Sequence, residues 1–122
     1  MAATTLVVDD DPALGASLRD VLQGQPVEVV MAASAQDAIA LMEKQRFCGL
    51  ILDLVLDESS GFDVLHHLER NHITIPTVIV SGKLPSYVRE LLSEEQVKLV
   101  FPKPVETRLL ATIVLGLCGI AA

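Results

Sequence analysis

Hydrophobic positions along the chain follow two alternating patterns. Short apolar, β-branched runs occur at Thr5–Val8, Val27–Met31, Gly49–Leu52, Thr77–Val80 and Lys98–Phe101. The run Leu50-Ile51-Leu52 and the run Val78-Ile79-Val80 have no polar alternation, which predicts strands buried on both faces. Between the runs, apolar residues recur three and four apart: Leu14, Leu18, Val21 and Leu22; Ala38, Ile39, Leu41 and Met42; Phe62, Leu65 and Leu68; Val88, Leu91 and Leu92. Helix boundaries accompany them. Asp11-Pro12 reads as an N-cap followed by proline at the first helical position, Ser34 as a cap with Asp37 three residues on, and Pro85 as the start of a fourth helix. Gly61 opens the third helix, which ends near Asn71; Gly24 ends the first. A final helix is expected from about Val105 to Cys118. The alternation is (βα) five times over, which predicts an α/β doubly wound parallel sheet with helices on both faces and right-handed crossovers. No linker or repeat interrupts it, so residues 1–122 are expected to form one domain.

Composition narrows the class. A chain of 122 residues, 51% hydrophobic with mean hydropathy +0.49, can bury a core and is not disordered. A net charge of −7 argues against a nucleic-acid surface. No apolar run reaches the roughly 18 residues of a membrane span, and the amino terminus lacks the features of a signal peptide, so a cytoplasmic location is expected. Cys48 and Cys118 have no metal-ligand spacing and read as buried reduced thiols. His66 and His67 point about 100° apart on a helix and cannot share a ligand face; with His72 they read as surface residues.

In such a sheet the carboxyl ends of all strands share one edge, where open α/β folds bind ligands. Strand one delivers Asp9 and Asp10 there, strand three Asp53, strand four Ser81, and Lys103 follows strand five. Converging acids repel one another unless a cation binds, and a hard cation such as Mg²⁺ suits oxygen ligands. Asp53 could then act as a nucleophile toward a phosphoryl group, with the Lys103 ammonium and the Ser81 hydroxyl on the phosphoryl oxygens. Gly82 leaves the approach open. Asp11 reads as a helix cap only.

The segments Val7-Val8-Asp9-Asp10-Asp11-Pro12, Leu52-Asp53-Leu54, Gly61, Val80-Ser81-Gly82 and Lys103-Pro104, all in register, resemble the receiver domain of two-component response regulators. The resemblance implies a flavodoxin-like fold with strand order 2-1-3-4-5. It implies Asp53 as phosphoacceptor, Asp9, Asp10, Asp53 and the Val55 backbone carbonyl as Mg²⁺ ligands, Ser81 as switch hydroxyl, and Lys103 as phosphate-sensing lysine before a cis bond to Pro104. It implies a phosphohistidine donor on a sensor histidine kinase or phosphotransfer protein. The face formed by the fourth helix, fifth strand and last helix would meet a homodimer partner or an output partner. Phosphoryl transfer would be self-catalysed, not enzymatic turnover.

Three positions depart from the family pattern: Asp57 where proline is usual, Val100 where an aromatic is usual, with Phe101 one later, and Val105 where phenylalanine is common. Val55 and Lys83 stand where the family tunes phosphate lifetime, and Val55 cannot orient a water, so slow self-dephosphorylation is expected. Two other readings stand beside the switch: a phosphorylation-independent interaction module, suggested by Val100 and Asp57, and a small phosphohydrolase with Asp53 as nucleophile, for which no general acid is placed. The stretch from Leu109 to Ala122 carries no charge. One face of it (Leu109, Ile113, Leu117) is expected to cover the sheet, leaving Leu110, Val114 and Leu115 partly outside.

Overall fold

The computed structural model describes residues 3–84, 86, 90 and 95–120. Its five strands are β1 (Ala3–Val8), β2 (Val27–Ala32), β3 (Gly49–Leu52), β4 (Thr77–Ser81) and β5 (Val97–Pro102). They form one sheet in the order β2-β1-β3-β4-β5, each neighbouring pair parallel. The described helices are α1 (Ala13–Val21), α2 (Ala35–Lys44), α3 (Gly61–Arg70) and α4 (Thr107–Leu117). The helix expected from Pro85, with Val88, Leu91 and Leu92, lies outside the described residues. The (βα) alternation and the 2-1-3-4-5 order are those expected from the sequence.

Strand alternation sends side chains to two separate cores. Leu6, Val8, Leu50, Leu52 and Ile79 pack against α2 and α3. Val7, Ile51, Val78 and Val80 pack against α1 and α4. This double cover is why the central runs lack polar positions. The helix starts follow their local chemistry. The Asp11 carboxylate accepts the Ala13 N–H at 3.0 Å, and Ser34 Oγ accepts the Asp37 N–H at 3.1 Å. Ser60 Oγ accepts the Phe62 N–H at 3.2 Å, and Asp63 closes a capping box on α3. After α1, Gly24 takes φ +85°, a left-handed conformation that suits glycine.

Four expectations need correction. The inward stripe of α4 is Leu110, Ala111, Val114 and Leu115, all buried, while Leu109 is 46% exposed and Ile113 and Leu117 are only half-buried. The uncharged stretch from Leu109 has apolar residues on neighbouring stripes, but Arg108, Thr112 and Gly116, four apart, are exposed; the stripe containing Ala111 lies opposite them and faces the sheet. Cys48 and Cys118 are not free thiols but are joined in a disulfide, with Cα atoms 4.9 Å apart. His67 is buried rather than at the surface: it shares a stripe of α3 with Val64, and its carbonyl accepts from Asn71 Nδ2 at 2.8 Å. Val21 lies outside the α1 core face, and Leu22 alone continues it.

Candidate functional site

The fold brings Asp9, Asp10, Asp53, Ser81 and Lys103 to the carboxyl edge of the three central strands and β5. Asp53 follows β3 directly, and its N–H donates to the Val8 carbonyl at 2.9 Å, which continues the ladder one residue past the strand. Asp9 follows β1 in the same way, donating to the Ala32 carbonyl at 3.0 Å. Each carboxylate is therefore fixed by a backbone that is part of the sheet. Both are buried, as is Ser81 at the end of β4.

The contacts converge on Asp53. Its Oδ1 accepts from Ser81 Oγ at 2.9 Å and from the Val55 N–H at 3.0 Å. Its Oδ2 pairs with Lys103 Nζ at 2.9 Å, and the same ammonium reaches Asp9 Oδ2 at 2.7 Å. Asp9 Oδ1 accepts the Asp11 N–H at 2.9 Å. Lys103 is positioned by its own N–H, which donates to the Ser81 carbonyl at 2.9 Å, and it is joined to Pro104 by a cis peptide bond. A cleft of about 270 Å³ opens beside these groups, lined by Asp9, Asp11, Leu14, Ser17, Lys103 and Pro104.

Burial pushes the Asp9 carboxyl above its ordinary pKa; the hydrogen bonds from Lys103 and Asp11 pull it down but do not win, and the Asp53 charge adds to the rise. Burial would lower Lys103, but its bonds to Asp9 and Asp53 outweigh that and hold the ammonium above the usual lysine range. Carboxylate oxygens of Asp9, Asp10 and Asp53 all lie within 4.8 Å of one another, a spacing that could hold a metal ion. A hard divalent cation fits this donor set, which is oxygen only.

The loop after Asp53 is braced from three sides. Val55 and Ser60 form an antiparallel bridge, the Gly61 N–H donates to the Leu54 carbonyl at 3.0 Å, and Ser59 Oγ accepts the Ala35 N–H at 3.0 Å, tying the loop to the start of α2. Gly61 cannot carry a side chain here: a Cβ would overlap the Asp53 carbonyl oxygen and lie 2.8 Å from Leu54 Cα. Both neighbours are backbone and cannot swing aside. Gly61→Ala should therefore cost roughly 1–3 kcal/mol by overpacking and shift the acceptor loop. Urea denaturation checks this; a variant as stable as the native chain would contradict it.

Sequence reasoning missed the backbone donors to Asp53 and Asp9, the Ser59 brace and the capping box. The last had a signal, Ser60-x-x-Asp63 before an apolar helix; the others depend on loop geometry. The structure also answers the displaced aromatic. Val100 packs on the α2–α3 core and Phe101 on the α1–α4 core, so the Phe101 ring lies on the opposite face of the sheet and does not replace a ring at position 100.

A parallel five-stranded α/β domain with an acidic cluster, a hydroxyl and a lysine at one edge defines a class of signalling domain, and comparison with known proteins specifies it. The family model described as response regulator receiver domain matches residues 5–115. The chain belongs to this family, whose members are signalling domains rather than turnover enzymes. It is 34% identical over 80 residues to the Mycobacterium tuberculosis protein named "Probable transcriptional regulatory protein TcrX", covering 66% of this chain and 34% of that protein. It is 29% identical over 100 residues to the response regulator receiver protein Anae109_2439 of Anaeromyxobacter, covering 82% of this chain and 42% of that protein. The chain thus spans less than half the length of these relatives. A CheY-like response regulator receiver domain from Methanospirillum hungatei superposes with a TM-score of 0.81 at 25% identity, covering 96% of this chain and 94% of that one.

Proposed function

We propose that this chain works as a single receiver domain whose Asp53 accepts a phosphoryl group from a phosphohistidine on a sensor histidine kinase or phosphotransfer protein. One observation carries the reading: a single buried carboxylate, Asp53, is held at once by the Ser81 hydroxyl and the Lys103 ammonium, with Asp9 on the same lysine. These are the groups a phosphorylated carboxylate would need around it.

An Asp53 carboxylate oxygen forms the new bond to phosphorus while the phosphorus–nitrogen bond of the donor breaks, and the imidazole departs and takes a proton. The Val55 N–H and Ser81 hydroxyl hold the carboxylate in one orientation before attack. Once the carboxylate has become an acyl phosphate, Lys103 and Ser81 turn from it to the phosphoryl oxygens. Asp9, Asp10, Asp53 and the Val55 carbonyl would hold Mg²⁺, which when bound supplies positive charge against the incoming phosphoryl oxygens. The added charge would bias the loop after Ser81 between two arrangements and so alter the surface beyond it. Exposed Leu99 on β5 and Leu109 on α4 support that side of the molecule as the surface for a homodimer or output partner. No described helix is long and apolar enough to cross a membrane; a cytoplasmic location follows from the proposed donor.

The raised Asp9 pKa gives a pH dependence. Cation binding needs the carboxylate ionised, so affinity for Mg²⁺ should weaken as pH falls through the raised value, before a carboxylate at 3.8 would titrate. Calorimetric titration along a falling pH series should show Mg²⁺ affinity weakening above the range in which a carboxylate at 3.8 titrates; affinity that falls only with an ordinary carboxylate would contradict the assignment. For the reading as a whole, chromatographic size and surface amide exchange should change on phosphorylation. A chain unchanged in both would be an interaction module that does not switch.

A further inference from the structure

We propose that Cys48 and Cys118 form a thiol–disulfide switch that clasps the carboxyl end of α4 to the entry of β3 and sets how firmly that helix is held. The proposal is independent of the phosphoacceptor reading. The two residues are 70 positions apart in sequence, yet their Cα atoms lie 4.9 Å apart, within the ordinary span of a disulfide. Cys48 immediately precedes β3, and Cys118 caps α4.

Two features favour a reversible clasp over a fixed staple. Both cysteines are half-buried rather than sealed in the core, so the bond lies near the surface. Neither segment needs the bond to hold its local structure. The end of α4 is already closed by backbone bonds from Cys118 to Val114 at 3.0 Å, Gly119 to Gly116 at 3.2 Å and Ile120 to Leu115 at 2.8 Å, with Gly119 at φ +69°. Beneath it, Gly49 allows close approach: a Cβ there would come within 3.2 Å of Leu117. With Leu110, Val114 and Leu115 buried against the sheet, the reduced chain keeps α4 in place by packing, while the oxidised chain adds a covalent tie.

The clasp lies at the opposite end of β3 from Asp53, roughly 17 Å away at strand spacing. It does not touch the carboxylate chemistry. However, α4 begins at Thr107, four residues after Lys103, so one helix runs from the site to the clasp. Opening is thiol–disulfide exchange with a dithiol reductant. A thiolate of the dithiol attacks one cysteine sulfur, the sulfur–sulfur bond breaks, and the departing cysteine takes a proton. The second thiol of the reductant then releases the other cysteine, so the protein gains two hydrogens and the reductant leaves as a disulfide. Closing is the reverse, with a disulfide oxidant of the same class. A reducing compartment keeps such a couple open, so closure would register oxidising conditions.

The test equilibrates the folded full chain in mixtures of reduced and oxidised dithiothreitol, blocks free thiols with an alkylating reagent, and reads intact mass, melting temperature and amide hydrogen exchange. At the oxidising end, the chain should carry no alkyl group; at the reducing end, it should carry two and remain folded. Reduction should lower the melting temperature by roughly 8–16 °C and speed exchange over residues 114–120, with phosphoryl uptake unchanged. Cys48→Ser and Cys118→Ser should match the reduced chain in both conditions; should either fail to fold, the reduced native chain supplies the comparison. Two alkylated thiols at the oxidising end would overturn the proposal. So would a bond that resists reduction while the chain is folded, or reduced and oxidised chains with identical melting and exchange.

Discussion

Asp53→Asn should abolish phosphoryl uptake and leave a folded domain. The substitution keeps shape and keeps an oxygen to accept from Ser81 Oγ and the Val55 N–H, the two bonds that orient the side chain. It removes the anionic nucleophile, and an amide oxygen forms no stable acyl phosphate. Lys103 loses one partner but retains Asp9 at 2.7 Å. Removing one of three neighbouring acids also relieves repulsion, so stability should stay within about 1 kcal/mol of the native chain. Intact mass after incubation with a small acyl-phosphate donor should show no adduct on the variant. An adduct of native yield would move the acceptor to Asp9, Asp10 or a residue outside the site.

Lys103→Met should destabilise the fold through the charges it leaves unpaired. It leaves Asp9 and Asp53, both buried, facing each other without the ammonium that bridges them. Stripping one partner from a fully buried ion pair costs about 3–5 kcal/mol. Lys103 is 30% exposed along its side chain, and water screens part of that loss, so roughly 1–3 kcal/mol is expected at neutral pH without divalent cations. The sign with pH follows from the two shifted groups. Lys103 has its pKa raised in the folded chain, so its contribution is complete below the ordinary 10.5 and fades only as pH rises through the higher folded value. Asp9 is an acid with a raised pKa, so the folded state takes up its proton more readily than the unfolded chain. Without Lys103, which pulls it down, the Asp9 carboxyl is raised further in the variant; as pH falls it is protonated, the repulsion disappears, and the gap from the native chain should narrow. Added Mg²⁺ should narrow it at neutral pH by binding the folded acids. Urea denaturation of both chains at neutral and acid pH checks this; a gap that does not change with pH would contradict the account.

The fold was legible because its signals are local and agree. The unbroken runs at Leu50–Leu52 and Val78–Val80 are short and bounded by turn residues, which reads as strands covered on both faces, and caps at Asp11 and Ser34 marked where helices began. The site was legible because parallel topology sends Asp9, Asp53 and Ser81 to one edge whatever the loops do. Less could be read where sequence leaves a degree of freedom. In α4 the stretch from Leu109 is uncharged, and only Arg108, Thr112 and Gly116, four apart, mark the outer face that turns Leu110 and Val114 rather than Leu109 toward the sheet. His67 was grouped with His66 and His72 as a surface residue because adjacent histidines diverge on a helix, but that divergence does not say which of the two faces the core. The Cys48–Cys118 pair needed the position of α4 on β3, which no spacing reveals. The Val55 N–H and the Ser59 brace are products of loop conformation, to which side-chain pattern is silent.

The central claim is that Asp53 takes up one phosphoryl group with help from a divalent cation. The most direct test is the intact mass of the native chain after incubation with Mg²⁺ and a small acyl-phosphate donor, repeated with a chelator present. The account predicts a single phosphoryl adduct with Mg²⁺, absent with the chelator and absent from Asp53→Asn. A folded native chain that acquires no adduct under any of these conditions would contradict it.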